Sequence, residues 1–136
     1  MNRIEPYLHF NGNCEEAMNF YKECLGGEIT FEMRFGESNM PVADEHKNRI
    51  MHCTFKYGDT GFMASDTMPD HPAVVGGNFA LSIGSDDEAA TRMMFEKLSQ
   101  DGQITMPLAV QFWDALFGML KDKFGVSWMF NCAMKK

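Results

Sequence analysis

The chain has 136 residues, of which 45% are hydrophobic, and it carries a formal net charge of -7 at pH 7. This length and apolar content are sufficient for one domain with a buried core. The acidic charge and the lack of a basic cluster argue against nucleic acid or an anionic membrane as partner. No apolar run approaches the roughly 20 residues of a membrane span, and the N-terminus lacks the apolar core of a secretion signal, so we expect a cytoplasmic protein.

The first 66 residues predict one strand, one helix and three further strands. Residues 6–10 predict the first strand. Asn13 as N-cap, with Glu16 three positions later, predicts a helix that begins with a capping box, and the Gly26-Gly27 pair predicts its end. Residues 28–66 contain β-branched and aromatic runs separated by turn residues, which predict three strands. The order of elements is β-α-β-β-β.

Two stretches interrupt this regular pattern. Residues 36–48 are strongly polar, and we interpret them as a solvated loop, with a lid over a binding site as the alternative. Residues 67–77 contain Pro69, Pro72 and the pair Gly76-Gly77, so they predict a linker. The linker separates module one, residues 1–66, from module two, residues 78–136.

Module two repeats the order of module one. Residues 79–83 predict a strand, and Ser85 with Glu88 three positions later predicts a second capping box. The helix is expected to stop at Asp101-Gly102, where glycine takes a left-handed backbone at low cost. Residues 104–132 predict three more strands. The fold class is therefore α+β, with two tandem βαβββ modules.

The four cysteines show no CxxC spacing. In a cytoplasmic protein we expect them to be reduced and to serve as small apolar residues rather than as a disulfide framework. They are Cys14, Cys24, Cys53 and Cys132.

Three segments resemble a known family: PYLHFNGNCEEAMNFYKECLGG, GFMASDTMP and QFWDALFGMLKDKFGVSWMFN. They are similar to the PhnB-like branch of the vicinal oxygen chelate superfamily, which includes glyoxalases, bleomycin resistance proteins and dioxygenases. The resemblance spans nearly the whole chain. It implies a cupped mixed sheet that holds a metal and a small ligand between two modules, and a homodimer. If the linker at residues 67–77 lets one module pair with its counterpart from another chain, the dimer is module-swapped.

Members of this branch often carry the label 3-demethylubiquinone-9 3-methyltransferase. The sequence does not support that reaction, because it has no glycine-rich fingerprint between a strand and a helix for a nucleoside cofactor. The predicted order of strands also differs from that of a doubly wound sheet.

The resemblance further implies where metal ligands would lie. The matching positions are Glu5 or Pro6, Met63 or Ser65, Asn78, and Met129. A carboxylate, an amide and a thioether are a poor ligand set for a divalent ion, so we expect no metal and no other cofactor. The alternative is a displaced divalent-metal site that uses His9 and His52, either without Asp66 or with it as a further ligand.

Strand alternation predicts which side chains face the cup. In the fifth strand we expect Phe79, Leu81 and Ile83 to pack under a helix and the alternating residues, Asn78, Ala80 and Ser82, to face the cup. In the third strand the helix side is expected to hold Met51, Cys53 and Phe55, and in the last strand Trp128, Phe130 and Cys132 alternate with Ser127, Met129 and Asn131. Trp113 is also predicted to contact a ligand, because polar Gln111 precedes it by two residues, which is one strand period. The predicted ligand-binding residues are Tyr7, His9, His52, Ser65, Asn78, Gln111, Trp113 and Met129.

His9 and His52 are the acid-base candidates, although histidines in a sheet more often form structural hydrogen bonds. No catalytic residue follows from the sequence beyond these two. The leading hypothesis is a metal-free, dimeric PhnB-like protein that binds a small molecule, its reaction not established. One alternative is a divalent-metal-dependent lyase, isomerase, dioxygenase or thiol transferase of the same superfamily. Another is a protein that sequesters a drug without chemistry.

Overall fold

The computed structural model describes residues 2–134. The chain divides into two compact units, Met1–Val74 and Val75–Lys136. The first contains β1 Tyr7–Phe10, α1 Cys14–Leu25, β2 Glu28–Arg34, β3 Ile50–Tyr57 and β4 Thr60–Asp66. The second contains β5 Leu81–Ser85, α2 Glu88–Ser99, β6 Gln103–Val110, β7 Ala115–Lys121 and β8 Ser127–Ala133. No helix within residues 2–134 is long and apolar enough to cross a membrane.

Each unit holds a four-stranded mixed sheet. The strand order is β1-β4-β3-β2 in the first sheet and β5-β8-β7-β6 in the second. The first strand of each unit runs parallel to the last, and the other neighbours are antiparallel. The prediction of two tandem βαβββ modules in the α+β class is confirmed.

The core of the first unit lies between α1 and one face of its sheet. Helix α1 contacts β2, β3 and β4. Its residues Ala17 and Tyr21 are buried at helical spacing, and Cys53 and Phe55 are buried at the period of a strand. Phe62 of β4 stacks on Phe55 with ring centroids 5.0 Å apart. The predicted faces of β3 are therefore correct.

The second unit is built in the same way. Met94 and Leu98 of α2 are buried, and Trp128, Phe130 and Cys132 are the buried set of β8. The alternation predicted for the last strand is confirmed, because the residues between these three are only half-buried.

The start of α1 differs from the prediction. Asn13 is the N-cap, but its side chain makes no capping hydrogen bond. Instead, Oδ1 of Asp66 accepts hydrogen bonds from the backbone N–H groups of Gly12 and Cys14, both at 2.9 Å. The predicted capping box is wrong, because the Asn13 side chain accepts no bond from the helix; the carboxylate from β4 instead binds the N–H groups on either side of Asn13. The C-terminus is as predicted, since Gly26 has a left-handed backbone with φ of 81°.

The ends of α2 also differ. The N-cap is Asp87, whose side chain accepts from the N–H of Ala90, whereas Ser85 Oγ accepts from the N–H of Asp87. At the other end the positive φ, 59°, belongs to Asp101. Gly102 serves a different purpose, because a Cβ there would lie 2.4 Å from the carbonyl oxygen of Lys121. This glycine permits close backbone approach rather than a left-handed turn.

Strand β5 begins two residues later than predicted, at Leu81. Ile83 is buried as expected, but Phe79 is 80% exposed and does not pack under α2. Asn78 lies ahead of the strand and is exposed. The prediction that both residues belong to the strand is wrong.

The predicted loop at residues 36–48 contains two short 3-10 helices. They are Phe35–Glu37, at the start of the loop, and Asp44–His46, near its end.

The hairpin between β7 and β8 is organised by Asp122, which is buried. Its Oδ1 accepts from the backbone N–H groups of Phe124 and Val126, at 2.8 and 3.0 Å. Its Oδ2 accepts from the indole Nε1–H of Trp128 at 2.9 Å. A buried carboxylate is tolerated here because three donors satisfy it.

Candidate functional site

The polar side chains of the first sheet gather on the face opposite α1. The strand register places Tyr7 beside Met63, His9 beside Ser65, and Thr54 beside Met63. Because paired residues of neighbouring strands share one face of a sheet, these side chains lie on the same surface. We call it the first-sheet site, defined by Tyr7, His9, Phe31, His52, Thr54, Met63 and Ser65.

Tyr7 is the centre of the first-sheet site. Its hydroxyl is hydrogen-bonded to Nδ1 of His52 at 2.9 Å. Its ring centroid lies 5.0 Å from that of His9 and 5.6 Å from that of His52. An imidazole protonated on Nε2 accepts this bond from the Tyr7 hydroxyl. The phenol therefore lies between two imidazoles and contacts both.

The two histidines are held by different partners. Nδ1 of His9 lies 3.4 Å from the hydroxyl of Ser65, a buried residue of β4. His52 has the ring of Phe31 on its other side, with centroids 5.9 Å apart. Imidazole both gives and takes protons near neutral pH, and a phenol both donates and accepts hydrogen bonds. The site can therefore bind a polar group and move a proton, while Phe31 and Met63 supply apolar surface.

A cavity of about 370 Å³ adjoins this site. Thr54 and Met63 belong to both. Charged side chains of both signs also line the cavity, and two of them, Arg3 and Glu5, form an ion pair at 2.8 Å. The other charged lining residues are Lys56 and Asp59.

Asp66 does not belong to the first-sheet site. In β4 it alternates with Ser65 and points to the helix side, where it is only 4% exposed. Besides Gly12 and Cys14, it binds Ile50, whose backbone N–H donates to Oδ2 at 2.8 Å. A displaced metal site that combines His9, His52 and Asp66 is therefore inconsistent with the geometry, since three backbone donors hold the carboxylate. Asp66 also does not cap the turn that follows it.

The family resemblance implies a bound metal ion, but the side chains at the matching positions are a poor set of donors for it. Of the four matching positions, Glu5 alone offers a carboxylate, and it is paired with Arg3. Met63, Asn78 and Met129 offer thioethers and an amide, which bind hard divalent ions weakly. Within residues 2–134, no group of three or more His, Cys, Asp and Glu side chains is arranged to hold a metal ion. The residues do not fit the ion.

The predicted residues of the second unit are more scattered. Met129 lies on the face of β8 opposite the buried set. Trp113 lies in the turn after β6 rather than in a strand, because the N–H of Gln111 donates to the carbonyl of Ala115 at 2.8 Å. The argument from strand period was therefore wrong. Trp113 Nε1 nevertheless donates to Oδ1 of Asn131 at 3.3 Å.

Phe117 was not among the predicted ligand contacts of this unit, whereas Gln111 was. The ring of Phe117 lies 5.7 Å from that of Trp113 in an edge-to-face arrangement. The side chain of Gln111 is turned to the backbone, since its Nε2 donates to the carbonyl of Ala109 at 3.2 Å.

In the first unit, sequence reasoning missed Phe31 and the charged wall of the cavity. The signal for Phe31 was its spacing of two from Met33. It was hard to use, because the pairing of β2 with β3 shifts register between Ile29 and Phe31 and again between Met33 and Arg34. No local pattern indicates that Arg3 lies in the same cavity as Asp59.

The chain matches the family described as 3-demethylubiquinone-9 3-methyltransferase over residues 2–130. It is 33% identical to protein YjdN of Escherichia coli, with 94% of this chain and 93% of YjdN covered. The structure of PA1353 from Pseudomonas aeruginosa is 41% identical, covers 99% of this chain and 100% of that one, and has a TM-score of 0.90.

The structure of the PhnB protein from Bacillus cereus is 34% identical, with 97% and 100% of the two chains covered and a TM-score of 0.82. A glyoxylase/bleomycin resistance protein/dioxygenase domain from Frankia sp. EAN1pec is only 9% identical, with 98% of each chain covered and a TM-score of 0.68, so it shows the fold alone. The chain belongs to the 3-demethylubiquinone-9 3-methyltransferase family, is similar to the PhnB protein of that description, and has the glyoxalase/bleomycin-resistance fold.

Proposed function

We propose that the protein binds a small organic molecule at the first-sheet site without a tightly bound metal ion. The observation that carries this proposal is the Tyr7 hydroxyl hydrogen-bonded to His52, with His9 beside it and a cavity of about 370 Å³ adjoining. Cavities of this size accept metabolite-sized molecules. The fold itself supplies no chemistry, so methyl transfer is not part of the proposal.

The lining of the site indicates an amphipathic ligand. Phe31 and Met63 offer apolar contacts to a flat ring, and methionine adapts to varied shapes. Tyr7 and the two imidazoles offer hydrogen bonds to a carbonyl or hydroxyl group. Arg3 and Lys56 offer positive charge to an acidic substituent in the adjoining cavity.

The assembly and location belong to the same proposal. We propose a homodimer in the cytoplasm, because members of the PhnB-like branch are commonly homodimers. In the second unit, Asn78, Gln111, Trp113 and Met129 remain candidate ligand contacts. Sedimentation equilibrium of the purified protein tests the dimer, and a mass equal to one chain at all concentrations refutes it.

A screen of small organic compounds by thermal shift and ligand-observed NMR tests the binding proposal, since a ligand that binds only the folded state raises its stability. Tyr7→Phe removes the hydroxyl and keeps the ring, and His52→Gln removes the imidazole. Tyr57→Phe is the matched control, because Tyr57 lies at the far end of β3. We expect roughly tenfold weaker binding in Tyr7→Phe, the cost of one to two hydrogen bonds, and wild-type binding in the control.

Two outcomes overturn the proposal. The first is a screen in which no compound raises the melting temperature. The second is a hit whose affinity is the same in wild type, Tyr7→Phe and His52→Gln. A hit that is released chemically changed establishes an enzyme, and one recovered unchanged after long incubation supports pure sequestration.

A further inference from the structure

Two cysteine thiols of the first unit lie against each other in its core. Sγ of Cys14, the first residue of α1, is 3.8 Å from Sγ of Cys53 in the middle of β3. The residues are 39 positions apart in sequence and are 0% and 1% exposed. The cysteine pair has no part in the candidate binding site, because Cys53 faces α1 and the first-sheet site lies on the opposite face of the sheet.

Backbone hydrogen bonds fix the position of each cysteine, and so they fix the contact between the two sulfurs. The backbone N–H of Cys14 is fixed by Oδ1 of Asp66, and Cys53 is fixed between Glu32 of β2 and Ala64 of β4 in the sheet. The two sulfurs are therefore brought together by secondary structure that is distant in sequence.

The thiols are not equivalent. The hydrogen bond from Cys14 lowers the pKa of Cys53, because it stabilises a thiolate there. The same hydrogen bond, followed by burial, raises the pKa of Cys14. Cys53 is thus the sulfur that ionises first, and Cys14 is the protonated neighbour.

We propose that Cys14 and Cys53 form an oxidation site, at which a peroxide converts the two thiols into an intramolecular disulfide. The Cys53 thiolate attacks hydrogen peroxide, giving a sulfenic acid and hydroxide. The sulfur of Cys14 then attacks the Cys53 sulfur, forms the S–S bond and expels the hydroxyl group, which leaves as water with the Cys14 proton. Sulfur is oxidised and the peroxide is reduced to two waters.

Oxidant reaches the pair when the first turn of α1 opens. Asn11, Gly12 and Asn13, directly before Cys14, are exposed. Opening breaks the hydrogen bonds of Gly12 and Cys14 to Asp66, and such local openings occur without global unfolding. Closing the sulfurs from 3.8 Å to a bond of about 2.05 Å shortens the distance between them by about 1.8 Å.

The test uses the native wild-type protein treated with hydrogen peroxide, then denatured, alkylated and digested without reductant. We expect one peptide pair joined through Cys14 and Cys53, while Cys24 and Cys132 are alkylated. Cys53→Ser abolishes the linked pair, and Cys132→Ser, the matched control in the second unit, retains it. The proposal is refuted if all four cysteines are alkylated after treatment, or if the disulfide appears only when oxidation is done in denaturant.

The route of access has its own test. Asp66→Asn weakens the hold on the start of α1, so we expect disulfide formation several-fold faster than in wild type under the same peroxide. Asp122→Asn is the matched control, because Asp122 is equally buried but belongs to the β7–β8 hairpin of the other unit. Equal rates in all three proteins would show that oxidant does not enter through the first turn of α1, and this part of the proposal would be wrong.

Discussion

The carboxylate of Asp66 accepts a 2.9 Å hydrogen bond from the backbone N–H of Cys14, a residue 52 positions earlier in the sequence. The same side chain binds the N–H groups of Gly12 and Ile50. One buried acidic residue thereby joins the end of β4 to the start of α1 and the start of β3. The three elements that frame the core of the first unit share this anchor.

Replacing Asp66 by alanine should destabilise the protein strongly. Three backbone N–H groups lose their acceptor, two of them in buried bonds. Hydrogen bonds to a charged group contribute about 1.5 to 3 kcal/mol each, so we expect the free energy of unfolding to fall by about 3 kcal/mol or more. Urea unfolding, monitored by circular dichroism, measures this free energy of unfolding. Asp70→Ala, whose side chain is 77% exposed, should change it by less than about 0.5 kcal/mol.

The second unit offers a parallel test at Asp122. Asp122→Ala removes the acceptor of Phe124, Val126 and the Trp128 indole. We expect a loss of about 2 to 3 kcal/mol in the free energy of unfolding. The chain has two tryptophans, so in a Trp113→Phe background the emission comes from Trp128 alone. A red shift of that emission at low denaturant is expected; unchanged emission and stability would contradict the role assigned to Asp122.

Adjacent glycines at the end of α1 should respond differently to alanine. At Gly26, with φ of 81°, a Cβ meets no atom within 4 Å, so Gly26→Ala should cost only the strain of a left-handed backbone, about 1 kcal/mol. At Gly27 a Cβ would lie 2.5 Å from Cζ of Phe55 and 2.7 Å from the carbonyl oxygen of Lys56. Gly27→Ala should therefore cost about 2 kcal/mol or more. Equal melting temperatures for the two variants would refute this distinction.

Divalent ions should leave the protein unaffected. We expect elemental analysis of the purified protein to show no stoichiometric metal, and the melting temperature to stay unchanged with added Mg²⁺, Mn²⁺, Zn²⁺ or Ni²⁺. The reason is the donor set at the family's ligand positions, where Glu5 supplies the carboxylate. A stoichiometric ion that is lost in Glu5→Gln but retained in Glu28→Gln, a control on exposed β2, would instead favour the metal-dependent alternative.

Much of the fold was predictable because strand and helix periods depend on local sequence. The alternation of Trp128, Phe130 and Cys132 places β8 correctly, and Gly26 ends α1 as predicted. The helix starts were not predictable in the same way. Asn13 satisfies the local rule for a capping box, yet its side chain makes no capping bond. Asp66 instead binds the N–H groups of Gly12 and Cys14, and a residue so distant in sequence leaves no local signal.

The site was predictable to a smaller extent. Period-two alternation was enough to place Tyr7, His9 and His52 on one face of the sheet. It gave no indication that Tyr7 bonds to His52 in particular, because that contact depends on how β1, β4 and β3 are ordered in the sheet. Trp113 was assigned to a strand because polar Gln111 precedes it by one strand period, but the bond from the N–H of Gln111 to the carbonyl of Ala115 makes a tight turn there.

The two helices differ in how their first turns are completed, and this difference bears on synthesis at the ribosome. Helix α2 is capped by Asp87, the residue directly before it, so its side-chain cap is available as soon as the helix has been made. Helix α1 must wait until residue 66 has left the exit tunnel before Asp66 can bind Gly12 and Cys14. The nascent first module therefore carries α1 without the Asp66 bonds through most of its own translation, whereas α2 already has its capping residue when it emerges.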